Sequence, residues 1–411
     1  MISSQKFIER KFQDYYRGND VRIYAPTSIE RREFGFLLFE KGMLRHMNFK
    51  TKKDLESFLK ETKCSDAYHS CAYYESPKAE MDRKGWLGAD LIFDIDADHI
   101  PTSCDRVHDE WICGNCSFSG KGITPNKCPV CGSEKFSVST WPCEVCLDSA
   151  KKETTKLLEL LIQDFGFSEK EVSVFFSGHR GYHVHVESEV IKMLDAVARK
   201  EIVDYVSGLG LDVSFHGLDD RNMRMMHGYE GERLGDSGWR KRIGLGMQNF
   251  VLNADEQDLR NIGLRKNIVE VILGNKESIL KNPLENRTWR GIKGVGSKTW
   301  RKIADHVVEL QSAKIDTVVT TDIHRLIRLT GTLHGKTGFQ KVEFPVSAID
   351  DFDPFDSAIT FEDDMATVFV SDAPEFRLGD EIFGPYKSQK VELPSAAAVL
   401  LICKGRAEVL E

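Results

Sequence analysis

Residues 91–98, LIFDIDAD, carry carboxylates at alternate positions. As a strand, this stretch sends Leu91, Phe93 and Ile95 to one face and Asp94, Asp96 and then Asp98 to the other. A carboxylate comb of this kind must meet water, basic partners or divalent cations, because burying it uncompensated is very costly. Taken alone, it also fits an ordinary edge strand with a solvated acidic face. A second candidate is the basic glycine turn 177–181, SGHRG, between two strand-like runs. Gly178 and Gly181 let backbone amides approach an anion, Ser177 offers a hydroxyl, Arg180 offers a fork for phosphate, and His183 follows on the polar face. Its plain alternative is a solvated hairpin loop.

A third acidic residue, Asp316, precedes the segment DIHRLIRL, which reads as a helix capped by Thr321 or Asp322 with Ile323, Leu326 and Ile327 inward. Arg325 and Arg328 then face outward, followed by His334 and Lys336 in a glycine-bearing turn. Three aspartates could hold one or two Mg²⁺ or Mn²⁺ ions, and two basic turns could neutralise a triphosphate and the departing pyrophosphate. Together these residue types point to nucleotidyl transfer.

The cysteines are a different material. Of the 10 in the chain, six fall in CxxC pairs, which in an intracellular protein indicates metal before disulfide. Cys113 and Cys116, then Cys128 and Cys131, form two knuckles suited to one tetrahedral zinc. Cys104, His108, Cys143 and Cys146 flank them. They either complete a second Zn²⁺ site at the base of the insert or include free thiols and alternative ligands of a single site.

Positioning these groups requires a mixed set of elements. Phe7, Ile8, Phe12 and Tyr15 at helical spacing predict an N-terminal helix ending near Gly18. Apolar runs around Gly42 predict a β-hairpin, and a short helix and a strand, AYHSCAYYES, then lead to the acidic strand. An amphipathic helix should end at Gly166, and another, from about Glu189, should close at Gly208. GIKGVGSKTWRKI at 291–303 is either a helix-hairpin-helix-like turn against DNA phosphates or a loop with a basic surface helix; Trp300, where the motif has a small residue, favours the latter. Beyond Asp350 the chain is acidic, proline-punctuated and without a chemical signal.

These elements predict an α/β, mixed α+β fold. The division is a catalytic core at 1–103, a zinc-binding insert at 104–148, core again at 149–187, a mainly helical subdomain at 188–310 and core at 311–411. Length, 411 residues, suits two or three units. Net charge of −8 means that nucleic acid must be met by local basic patches. No apolar run approaches the ~20 residues of a membrane span. The opening MISSQKFIERKF lacks the apolar core of a signal peptide, so a soluble, cytoplasmic protein is expected.

The order and wording of the motifs resemble the small catalytic subunit of archaeal and eukaryotic DNA primase in its archaeal form. The resemblance runs through RREFGF at 31–36, DIDAD at 94–98, SGHRGYHVH at 177–185 and IDTVVTTDIHRLIRLTGTLHGKTGF at 315–339. It implies a primase-type catalytic domain of mixed sheets flanked by helices, with a zinc-knuckle insert and a helical subdomain. Asp94 and Asp96 would be paired metal ligands and Asp316 the third catalytic carboxylate. Ser177, His179, Arg180, His183, Arg328, His334 and Lys336 would bind the nucleoside triphosphate, although His179 stands where relatives often have arginine. Glu33 and Arg45 would help to place the initiating nucleotide. The family zinc would sit on Cys104, His108, Cys143 and Cys146, leaving the knuckle of Cys113, Cys116, Cys128 and Cys131 as a structural second zinc.

The implied activity is primer synthesis on single-stranded DNA in an archaeal cell, with an iron-sulfur-containing large subunit as heterodimer partner. A 3′-hydroxyl would attack the α-phosphate in line, with one metal activating it and the other stabilising pyrophosphate. Two alternatives are a repair polymerase of the same superfamily and a non-catalytic, zinc-containing DNA-binding module.

Overall fold

The computed structural model describes residues 3–18, 21–216, 237–276, 292–361 and 364–410. The helix Ser4–Arg17 forms where Phe7, Ile8, Phe12 and Tyr16 share a buried stripe, with Ser3 accepting the Lys6 N–H as N-cap. Tyr16 completes that stripe in place of the expected Tyr15, whose hydroxyl donates to the Gly331 carbonyl from the margin. β1 (Phe34–Leu38) and β2 (Gly42–Met47) form the expected antiparallel hairpin. A Thr51/Asp54 capping box starts the helix Lys52–Glu61. β3 (Cys64–Ser70) pairs with the other edge of β1, and β4 (Ala72–Tyr74) pairs with β5 (Trp86–Ala89). β6 (Leu91–Asp96) then buries Leu91, Phe93 and Ile95 completely, while Asp94 and Asp96 keep some access to solvent.

The insert that follows holds a small sheet of β7 (Glu110–Cys113), β8 (Ser119–Lys121) and β9 (Phe136–Ser139), in the order β8-β7-β9. The helix Glu144–Glu159 leaves it and runs through a π-turn, Leu160–Asp164, before stopping beside Gly166. β10 (Val172–Phe176) and β11 (Gly181–Val186) pair as an antiparallel hairpin around the basic turn.

Two local expectations are corrected here. The helix expected from about Glu189 begins only at Ala196. The Lys192 carbonyl accepts the Ala89 N–H from β5, which takes that acceptor away from a helical ladder. DIHRLIRL is not a helix either. The helix lies earlier, at Thr317–Thr321 with Asp316 as its N-cap, and Leu326–Arg328 is a strand, β12, paired with β3. The open edge of β3 outweighs a helix-like apolar pattern that is only eight residues long. β13 (Val342–Phe344) pairs with β10, completing two four-stranded antiparallel sheets in the orders β12-β3-β1-β2 and β13-β10-β11-β6.

The C-terminal part adds β14 (Met365–Ala373), the pair β15 (Phe376–Leu378) and β16 (Glu381–Phe383), β17 (Tyr386–Pro394) and β18 (Ala407–Val409). Its main sheet runs β17-β14-β18, with the apolar helix Ser395–Cys403 between β17 and β18 in the chain.

The chain divides into two compact units, one of Met1–Thr155, Ser168–Val203 and Lys314–Glu411, the other of Lys156–Phe167 and Asp204–Ala313. The second is helical, and its core gathers Trp239, Ile243, Met247, Val251, Trp300, Ile303 and Val307. Trp300 therefore anchors the helix Ser297–Gln311 in that core, while Gly291, where the helix-hairpin-helix-like motif begins, lies outside the described residues. The fold is mixed α/β. Among the described residues no helix is long and apolar enough to cross a membrane.

Candidate active site

The acidic strand is held from both sides. On one side β11 aligns with β6 so that His183 faces Asp94 and Gly181 faces Asp96. A Cβ at Gly181 would lie 2.0 Å from the Ile95 carbonyl oxygen, so only glycine lets the two strands approach this closely. His183 Nε2 comes to 3.5 Å from Asp94 Oδ1. On the other side the Asp316 N–H donates to the Asp94 carbonyl at 2.8 Å. The Asp316 carboxylate caps its own short helix, accepting the Val318 N–H at 2.9 Å. A strand and a helix start, more than two hundred residues apart in the chain, are thus stitched together through their backbones.

This convergence has an electrostatic signature. Burial, followed by the charges of Asp96 and Asp316, pushes the Asp94 carboxyl up to about 7, against the pull of Arg325 and Lys341. Negative charge at this point exceeds what the surrounding protein neutralises. Hard divalent cations take carboxylate oxygens, and Asp94, Asp96 and Asp316 are the carboxylates that act on one another at this point.

Above the carboxylates lies a cleft of about 180 Å³, lined in part by Asp94, Asp96, Tyr68, Ser177, His179, His183, Arg325, Arg328 and His334. Gly178, at φ +85°, turns the chain where a side chain would press on the Phe339 carbonyl and the His334 side chain. The Ser177 hydroxyl accepts the His179 N–H at 3.2 Å. The rings of His179 and His334 stack, with centroids 5.0 Å apart. Burial, reinforced by neighbouring cations, holds His179, His183 and His334 well below the ordinary imidazole range, so all three are neutral at pH 7. Arg328 donates to Asp66 at 2.6 Å and to the Leu333 carbonyl at 3.0 Å. The same Asp66 oxygen accepts the Gly335 N–H at 3.0 Å, so one buried carboxylate sets both the arginine and the 334–336 turn. Lys336 donates its N–H to His334 Nδ1 and keeps its side chain exposed.

Arg180 goes elsewhere. Its guanidinium, completely buried, meets Asp98 at 2.9 Å, Asp109 at 2.8 Å and Cys146 Sγ at 3.2 Å. It braces the basic turn against the cysteine-bearing insert and leaves Arg325 and Arg328 as guanidinium groups that line the cleft. Asp98, the last acid of the comb, is committed to Arg180. Ligand atoms of Asp96, Asp98 and His179 lie within 4.8 Å of one another, but His179 Nε2 already faces the Lys404 ammonium. Glu33 is buried between Arg45 Nε at 3.0 Å and Lys84 at 3.1 Å, and neither it nor Arg45 lines the cleft.

The eight insert ligands separate into two groups, Cys104, His108, Cys143 and Cys146, and Cys113, Cys116, Cys128 and Cys131. In the first, Cys104 Sγ lies 3.4 Å from both Cys143 Sγ and Cys146 Sγ, and His108 Nε2 lies 3.2 Å from Cys143 Sγ. In the second, Cys113 and Cys131 are 3.5 Å apart and Cys116 and Cys128 3.6 Å. A tetrahedron with Zn–S bonds of about 2.3 Å has edges of about 3.8 Å, so both groups fit a zinc-sized ion. His108 Nδ1 is 2.7 Å from Asp109 Oδ1, which orients the ring as a metal-bound imidazole requires.

Asp66, Tyr68 and Lys404 carry no signal in the sequence. Each becomes visible only when β3 and the C-terminal helix are folded against the basic turns.

Comparison with known proteins follows the same line. A family model described as DNA primase small subunit matches residues 138–346. The DNA primase small subunit PriS of Nitrosopumilus maritimus is 32% identical over 408 residues, covering 98% of each chain. That of Methanothrix thermoacetophila is 33% identical over 422 residues, again 98% of each. That of Thermoplasma volcanium is 32% identical over 413 residues, 99% of this chain and 98% of the relative.

Proposed function

Since the chain belongs to the DNA primase small subunit family, we propose that its cleft performs template-directed nucleotidyl transfer, building short primers on single-stranded DNA. One observation carries this reading: Asp94 and Asp96, with Asp316 bonded to their strand, meet one cleft that also receives His179, Arg328 and His334. Carboxylates together with basic and imidazole groups in one cleft match the two demands of the reaction, activating a 3′-hydroxyl and accepting a triphosphate.

Asp94, Asp96 and Asp316 are the metal-holding carboxylates. Mg²⁺ or Mn²⁺ bound there supplies Lewis acidity toward the attacking hydroxyl and the pyrophosphate. His183 buttresses Asp94 and keeps its carboxylate oriented. Ser177, His179, Arg328, His334 and the exposed Lys336 receive the phosphates, with Arg328 aimed by Asp66. Arg180 acts at one remove, by fixing the turn that bears Ser177 and His179. The two insert groups each hold a structural zinc. The partner is the primase large subunit, iron-sulfur-containing by family resemblance, and the protein works as a nucleotidyltransferase in a cytoplasmic heterodimer.

The deciding experiment is incorporation of labelled nucleotide on an unprimed single-stranded template, with and without the large subunit. Wild type should make primers, and a folded Asp94→Asn/Asp96→Asn double variant should make none. Normal primer yield from that variant would overturn the assignment.

A further inference from the structure

Lys404 follows the helix Ser395–Cys403, in a region whose sequence carries no chemical signal. Its Nζ nevertheless lies 2.7 Å from His179 Nε2, on the ring that stacks against His334. Both histidines line the cleft at the basic turns. When Lys404 carries its proton it can only donate, which makes Nε2 the acceptor and leaves the His179 proton on Nδ1. Arg180 and Lys336 both act on Lys404 here, and Asp98, a carboxylate that acts on it too, is already held by Arg180. Burial, followed by the charge of Arg180, brings the Lys404 amine down to about 7. A cation kept among cations beside a neutral imidazole is stabilised when a polyanion arrives.

We propose that Lys404 is a further residue of the nucleotide site, a positioning cation that orients His179 and strengthens the cleft's hold on the terminal phosphates of a nucleoside triphosphate. The C-terminal module is thereby part of substrate selection. The inference rests on the nucleotidyl-transfer reading above and adds to it preference for triphosphate over shorter phosphates.

The test uses the full chain with its large subunit, comparing wild type with Lys404→Gln, Lys404→Arg, His179→Gln and the Lys404→Gln/His179→Gln double variant. KM for nucleotide and inhibition by inorganic tripolyphosphate and by pyrophosphate are measured. Loss of one charge-assisted contact predicts a KM about 10-fold higher for Lys404→Gln, with kcat within about twofold. Tripolyphosphate inhibition should weaken by a similar factor and pyrophosphate inhibition by less. Lys404→Arg should recover most of the loss, and adding Lys404→Gln to His179→Gln should cost little more than His179→Gln alone.

An unchanged KM and tripolyphosphate inhibition in a Lys404→Gln protein that melts like wild type would overturn the proposal. So would a fall in kcat alone that Lys404→Arg does not recover. A measurement on wild type covers the case in which the variants fail to fold. Acylation of Lys404, followed by peptide mass spectrometry, should slow in the presence of tripolyphosphate, and an unchanged rate would refute the role. Wild type that neither incorporates nucleotide nor responds to tripolyphosphate defeats the parent reading. Wild type that does both, beside an indifferent Lys404→Gln, defeats this one alone.

Discussion

Replacing Asp94 by asparagine should stabilise the metal-free protein while abolishing synthesis. In the folded chain the Asp94 carboxyl is pushed from its ordinary 3.8 up to about 7, first by burial and then by Asp96 and Asp316. A raised carboxyl pKa means that the folded state holds a proton the unfolded state releases. Stability is therefore lost as pH rises from about 4 to about 7, and the penalty is complete above that window. Three pH units correspond to about 4 kcal/mol. With 28% of the side chain still accessible, water screens part of this, and about half, roughly 2 kcal/mol, is the working figure. For a unit of this size that is a melting-temperature rise of about 4 °C.

The assay is thermal unfolding of wild type and Asp94→Asn in EDTA at pH 8 and pH 5, repeated at pH 8 with Mn²⁺. The variant should melt higher at pH 8 and lose most of its advantage at pH 5, where the folded Asp94 carboxyl is neutral and only about a third of the penalty remains. With Mn²⁺ the order should reverse, because only wild type gains the binding free energy, about 2.7 kcal/mol at 100 times Kd. An Asp94→Asn protein that melts no higher than wild type at pH 8 in EDTA would show that the three carboxylates are not held against their repulsion.

Arg180→Ala removes the cation from Asp98 and from Oδ2 of the buried Asp109, whose Oδ1 keeps His108; a loss of about 3 kcal/mol is expected. Intact melting with a selectively raised nucleotide KM would instead place that guanidinium on phosphate. Asp66→Asn should raise nucleotide KM about 10-fold through Arg328, the loss expected for one misaligned charge-assisted contact. A wild-type KM would show that Arg328 needs no such anchor. Metal analysis should give two zinc ions per chain, falling to one in Cys113→Ser/Cys116→Ser with lowered melting but preserved turnover at saturating nucleotide. Unchanged zinc content would refute the second site.

Asp94 and Asp96 were legible because a strand's period of two leaves no choice about which face they share. The two cysteine groups were legible because knuckle spacing restricts which thiols can meet. By contrast, Leu326–Arg328 carries an apolar pattern compatible with either a helix or a strand, and the free edge of β3 decides between them. Arg180 shows a different limit. Its place in a glycine turn suggests phosphate, but the direction of a long side chain depends on Asp98 and Asp109, and Asp109 belongs to an insert with its own fold. Lys404 had no local signal at all, since its proximity to His179 comes from folding residues 225 positions apart against each other.

The bridge from Cys146 and Asp109 through Arg180 to Asp98 has a thermodynamic corollary. If an ion on Cys104, His108, Cys143 and Cys146 and a nucleotide at the basic turn both favour this posture of the guanidinium, their affinities are reciprocally coupled. Whatever free energy the insert's metal lends to substrate capture, captured substrate returns as slower release of that metal. A chain engaged in synthesis would then resist a chelator longer than the same chain at rest.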